Sequence, residues 1–139
     1  EFDWTGTRDF SGHCALPVAI EGMAKLVEGG WESIMKQNHS LAIEGRNILC
    51  QKLGISKPCP DDMIACIATL PLPGDSSGGI PLHDADPLHE ILHDKYGIQI
   101  PVWSWESPQG RYIRISAQLY NHIDEYHYLA NALANELNI

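Results

Sequence analysis

Arg114 is the side chain in this sequence best suited to grip a small carboxylate. It lies in a stretch, residues 112–121, that places Tyr112, Arg114, Ser116 and Gln118 on one face and Ile113, Ile115, Ala117 and Leu119 on the other. That period of two is the pattern of a half-buried strand. A guanidinium presents planar, paired donors that match a carboxylate, and in a low-dielectric cleft the pair fixes an amino acid or keto acid in one orientation. The bland alternative is that Arg114 and Ser116 simply face water on an antiparallel sheet.

A second group lies at the start, where residues 1–11 are aromatic and polar without a helical period. Gly6 permits close backbone approach there, and Thr5, Thr7 and Arg8 supply donors suited to an oxyanion such as phosphate. Such a turn is by itself a weak signal. A third is His89-Glu90-Ile91-Leu92-His93, which matches the helical zinc-peptidase pattern of two histidines one turn apart. Pro87 starts that helix too close to His89 for a buried site, and Tyr96 and Gln99 stand where the extended motif needs glycine and histidine. The expected metal set is therefore empty, and sequence does not place His83 or Glu106 beside the motif as further ligands.

Cys14, Cys50, Cys59 and Cys66 include no Cys-x-x-Cys pair and have apolar neighbours. They read as reduced, buried thiols, Cys14 included, which favours a reducing intracellular compartment. Cys14 sits in a Ser-Gly-His-Cys stretch similar to the reactive loop of cysteine desulfurases, but near the wrong end of the chain relative to Arg114. His122, His127 and the tyrosines of the last helix read as rim and core packing.

The elements that must position these groups follow from periodicity and punctuation. A helix runs from Ser11, starting or kinking at Pro17, and stops at Gly29 and Gly30. A long helix spans 31–53 and ends at Gly54. Residues 63–70 are apolar on both faces, as a covered internal strand would be. Residues 71–79 form a loop by composition. Asp86 caps and Pro87 opens a helix whose Leu88, Ile91, Leu92 and Tyr96 face inward and which Gly97 ends. Strands at 98–105 and 111–119 flank a hairpin loop at 106–110. Asn121 then caps a last helix, with Ile123, Tyr126, Ala130, Leu133 and Leu137 in one seam. The order predicts an α+β fold, a small, mainly antiparallel sheet covered by helices.

With 139 residues, 44% of them hydrophobic, the chain can bury one core. A formal charge of -9, with nine Lys and Arg scattered singly, leaves no basic stripe for nucleic acid or anionic lipid. No apolar run reaches membrane-spanning length. The chain opens on Glu1 and not on methionine, so a piece of a longer protein is expected.

The ordered set of residues 2–9, Pro17-Val18-Ala19-Ile20, Asn38-His39, residues 112–116 and Tyr120-Asn121 resembles the C-terminal portion of class V aminotransferase-fold enzymes. Within them it is most similar to the isopenicillin N epimerase-like branch, which includes L-cysteine desulfhydrase-like proteins. The resemblance implies the C-terminal domain of a fold type I enzyme, with residues 1–30 as the end of the large cofactor-binding domain and 31–139 as a linking helix and small domain. It implies pyridoxal 5'-phosphate, which acts as an electron sink, and a homodimer in which Gly6 and Thr7 contact the cofactor phosphate. It implies that Arg114 and Asn121 bind the substrate, Arg114 through the α-carboxylate, with Asn121 supporting the turn beside it.

The Schiff-base lysine of that family follows a histidine upstream, and none of Lys25, Lys36, Lys52, Lys57 or Lys95 does so. The implied role is therefore one part of an amino-acid-modifying enzyme, an epimerase, lyase or aminotransferase, with no catalytic residue in this chain. A desulfhydrase-like β-elimination and a non-catalytic α+β binding module are the other readings. A persulfide-forming reaction is disfavoured because no cysteine lies between Leu70 and Arg114.

Overall fold

A computed structural model describes residues 9–74, 86–106 and 109–139, with the side chains of Glu106 and Gln109 excepted. Gly6, Thr7, the rest of the first eight residues, His83 and most of the 71–79 loop therefore lie outside the described residues. The elements are α1 (Ser11–Ala24), α2 (Gly30–Leu53), a 3-10 turn (Asp61–Met63), β1 (Ile67–Pro71), α3 (Pro87–Tyr96), β2 (Val102–Glu106), β3 (Gln109–Ser116) and α4 (Ile123–Leu137). From residue 30 on this is the predicted order of helices and strands around an antiparallel sheet, an α+β fold.

The chain divides into two compact units, Glu1–Lys36 and Gln37–Ile139. In the first, α1 starts at Ser11, whose backbone N–H and hydroxyl both donate to the Asp9 carboxylate at 2.8 Å. Those bonds hold the Asp9 carboxyl below its ordinary value. The helix passes through Pro17 instead of beginning there, because one missing N–H costs a single turn's bond while the remaining turns keep theirs. None of its residues is buried, and Leu16, Val18 and Ile20 are all exposed. Cys14 is accordingly an exposed thiol, against the expectation of a core position. Gly29 and Gly30 take positive φ values of 84° and 60°, which turn the chain out of α1 and into α2 at no side-chain cost.

In the second unit α2 presents Asn38, Ala42, Gly45, Leu49 and Leu53 as one buried stripe, the i, i+4, i+7 spacing of a helix face against a core. Gly45 is required by packing. A Cβ there would stand 2.7 Å from the Tyr126 ring of α4.

The sheet has the order β1-β3-β2, all antiparallel. Ala68, Leu70, Val102, Ile113 and Ile115 turn inward onto Leu49, Leu92, Tyr126, Leu129 and Leu133, and the alternate residues, among them Thr69 and Arg114, turn outward. β1 is an edge strand and not the covered internal strand predicted from its apolar run. Ile67 is 47% exposed, and the apolar residues before the strand, Met63 to Cys66, are used in a 3-10 turn and bend. Periodicity reports how many faces of a strand are buried, and its place in the sheet is decided by partners elsewhere in the chain.

α3 is built as its residues predict. The Asp86 carboxylate accepts from Leu88 N at 2.9 Å, Pro87 follows, and Gly97 closes the helix in the left-handed region. Ile91 is the exception, exposed where an inward position was expected. The hairpin is tighter than predicted. β2 and β3 stay paired to Glu106 and Gln109, and residues 98–101 are irregular. α4 begins at Ile123 with His122 at its cap, not Asn121. Glu125 reaches back to accept from His122 N at 3.1 Å, so the acidic residue that closes this end is Glu125.

Candidate carboxylate-binding site

The four arginines of the sequence include three in the second unit, and their surroundings sort them. Arg46 is 0% exposed and ion-paired to Asp61, while Nη1 donates to Cys59 O at 3.2 Å and Nη2 to Asn47 Oδ1 at 2.9 Å. The guanidinium holds the Asp61 carboxyl below the ordinary carboxylate range. Arg111 grips the buried Asp86 with two bonds, Nε at 2.8 Å and Nη2 at 2.7 Å. That leaves Arg114, which is exposed and makes no ion pair or hydrogen bond with any described residue.

Arg114 is placed by the register of the sheet. Ile113 and Ile115 are buried, which turns Arg114 to the other side of β3. The β2 ladder ends at Val102↔Ile113, whereas β1 continues through Thr69↔Arg114. On the β2 side, residues 97–101 run past 114–116 without pairing, and a pocket of about 640 Å³ opens there. It is bounded by those two segments, by Tyr120 and Asn121, and by the first turns of α4 from Asp124 to Leu129. That volume lies within the range of small-ligand sites. Arg114 is the sole cationic side chain in its lining, which includes no lysine.

The far wall is held by hydrogen bonds. Asn38 Nδ2 donates to Gln118 Oε1 at 2.9 Å, and Gln118 N donates to Asn121 Oδ1 at 3.0 Å. Asn121 Nδ2 in turn donates to Glu125 Oε2 at 3.0 Å. Both ends of the Asn121 amide are thus spent within the turn that carries it. The Tyr126 hydroxyl donates to Ser116 O at 2.7 Å, and burial, with Glu125 nearby, pushes its pKa up to about 12. Tyr128 donates to Tyr96 O at 3.1 Å, tying α4 to the end of α3. Chemically the pocket offers one unsatisfied planar cation together with hydroxyls, the Gln99 amide and two carboxylates, the Asn121 amide being committed to its own turn. That set suits a small anion carrying a polar or cationic group.

The structure brings Arg114 and Asn121 to one pocket, while Gly6 and Thr7 lie outside the described residues. His89 and His93 sit on α3 and are not part of that lining. His89 Nδ1 is 2.6 Å from Ile100 O and His93 Nδ1 is 2.9 Å from Asp94 Oδ1. Among the described residues no three His, Cys, Asp or Glu side chains come together as a metal set would. Sequence reasoning missed the Asp86–Arg111 and Arg46–Asp61 pairs. The available signal for the second was a charged residue inside the apolar stripe of a helix, between Gly45 and Leu49.

The chain is similar to plant L-cysteine desulfhydrases. It is 33% identical over 142 residues to the probable L-cysteine desulfhydrase, chloroplastic, of Arabidopsis thaliana, covering 96% of this chain and 29% of that protein. It is 30% identical over 146 residues to the L-cysteine desulfhydrase of the same plant, covering 96% and 32%. The putative L-cysteine desulfhydrase 2 of Oryza sativa subsp. japonica is 26% identical over 151 residues, covering 96% and 31%. This chain therefore spans roughly 30% of the length of the curated relatives it matches. No family model matches it.

Proposed function

We propose that this chain forms the substrate-carboxylate side of a pyridoxal 5'-phosphate enzyme acting on an amino acid, and corresponds to the C-terminal portion of a class V aminotransferase-fold protein. The observation that carries the proposal is Arg114, the described arginine left without an anionic partner and the one that lines the pocket. In this role its guanidinium donates to the α-carboxylate in a two-bond fork, and Asn121 and Glu125 form the facing wall.

The names of the relatives favour β-elimination from L-cysteine over epimerisation, so desulfhydration is the preferred reaction and isopenicillin N epimerase-like chemistry the second. The described lining includes no lysine, and the cofactor's anchor would come from residues outside this pocket. We assign contact with its phosphate to Gly6 and Thr7, and expect a homodimer. What the chain's own residues do is bind and orient: Arg114 holds one end of the substrate, so that the bonds at the α-carbon are presented in one direction.

A calorimetric titration of the 139-residue chain with L-cysteine under reducing conditions tests this. Arg114→Ala should weaken binding at least about tenfold, and Arg114→Lys should recover only part of it, since a point charge replaces a fork. Equal affinity in Arg114→Ala and the unsubstituted chain would refute the carboxylate role.

A further inference from the structure

Three polar or charged side chains are buried among the described residues: Arg46, Asp86 and Asn38. The first two are in ion pairs. Asn38 is neutral, 7% exposed, and sits in the apolar stripe of α2 with Ala42, Gly45 and Leu49. Burying an amide there is costly unless it is hydrogen-bonded, and a leucine would serve the core better.

We infer that Asn38, although outside the lining, is a positioning residue for the Arg114 pocket, acting through Gln118 on the turn that forms the facing wall. The inference rests on the carboxylate role of Arg114. Gln118 Oε1 accepts from Asn38 Nδ2 and from Leu119 N, both at 2.9 Å. Two donors on one oxygen leave the Gln118 amide a single orientation. Gln118 N then fixes the Asn121 amide, and that amide fixes Glu125 on the wall.

Seven residues further along α2, and so on the same face, Gly45 admits the Tyr126 ring whose hydroxyl holds Ser116 O. One face of α2 therefore pins the β3–α4 junction at both ends, at Gln118 and at Tyr126. Arg114 lies two residues before Ser116. Without the Asn38 donor the Gln118 amide keeps one bond and gains freedom to rotate, and the turn bearing Asn121 loosens against the guanidinium.

The test is the same L-cysteine titration on Asn38→Ala, with Leu53→Ala as a control on the same helix. Leu53 is buried, and truncating it destabilises the core without touching Gln118 or the pocket lining. Asn38→Ala should weaken L-cysteine binding about fivefold, a change of about 1 kcal/mol, while Leu53→Ala lowers the melting temperature and leaves affinity within about twofold. Gln118→Leu attacks the tie from its other end and should match Asn38→Ala, and the double variant should lose no more than either single one.

Unchanged affinity in Asn38→Ala and Gln118→Leu, with binding abolished in Arg114→Ala, overturns the positioning role alone. Unchanged affinity in Arg114→Ala, or no binding by the unsubstituted chain, overturns the carboxylate site and the positioning role with it. Equal loss of affinity in Leu53→Ala also overturns it, because general loosening would then be sufficient.

Discussion

Each charged residue of the second unit is either neutralised inside the fold or left to meet something else. Arg46 belongs to the first kind. Its desolvated guanidinium has an Nε with no partner, and removing Asp61 would leave the rest of the charge poorly compensated. Asp61 is itself half exposed, so solvent screens the pair and Asp61→Asn should destabilise less than the loss of a fully buried partner would.

The pH dependence has a defined sign. Asp61 is held low by the hydrogen bond from Arg46, so its contribution is complete above the unfolded value of about 4 and lost as pH falls through the lowered folded value. Acid titration of stability should flatten in Asp61→Asn. Tyr126 acts in the opposite sense. Its pKa is raised to about 12 by burial, so its contribution is present below the unfolded value of about 10 and lost as pH rises toward 12. Tyr126→Phe should remove that alkaline loss and cost about 1 kcal/mol at neutral pH through the bond to Ser116 O.

At the level of elements, Asp86 joins two of them. It caps α3 through Leu88 N and receives both bonds from Arg111 of β3. Asp86→Ala should therefore cost more than an ordinary cap, which is worth about 0.5–2 kcal/mol. Chemical denaturation that gives a value inside that range would show that Arg111 finds other partners. Gly45→Ala places a methyl group against the Tyr126 ring and should destabilise by about 1–3 kcal/mol.

Most of these elements were legible in the sequence, and the failures share a cause. β3 was readable because Ile113 and Ile115 alternate with Tyr112 and Arg114, and α3 because Asp86-Pro87 and Gly97 are local signals. The edge position of β1 and the pairing of Arg111 with Asp86, 25 residues apart, depend on contacts distant in sequence, while the cap moves to His122 because the Asn121 amide is already taken by Gln118 N and Glu125. The pocket was half legible. The orientation of Arg114 follows from alternation, but the partner that occupies Arg111, Asp86, lies 25 residues away and no local pattern announces it.

At the scale of the whole molecule the two units differ in how much they bury. Leu16, Val18 and Ile20 of α1 are exposed, Val18 at 73%, whereas α4 buries Tyr126, Leu129, Ala130, Leu133 and more. Hydrogen exchange should find α1 amides exchanging orders of magnitude faster than those of residues 37–53 and 126–134, because protection follows burial and cooperative packing. Similar protection throughout would contradict that division. The exposed apolar residues of α1 fit the expectation that residues 1–30 belong to a larger domain.

The central claim is that the Arg114 guanidinium receives an amino-acid carboxylate. The most direct measurement is the Arg114 Nε–Hε resonance of isotopically labelled chain as L-cysteine is added. A saturable shift of that resonance, with those of Arg46 and Arg111 unmoved, is the expected result. A titration in which the Arg114 signal stays fixed up to concentrations well above the physiological range, or in which all the guanidinium signals drift together, would contradict it.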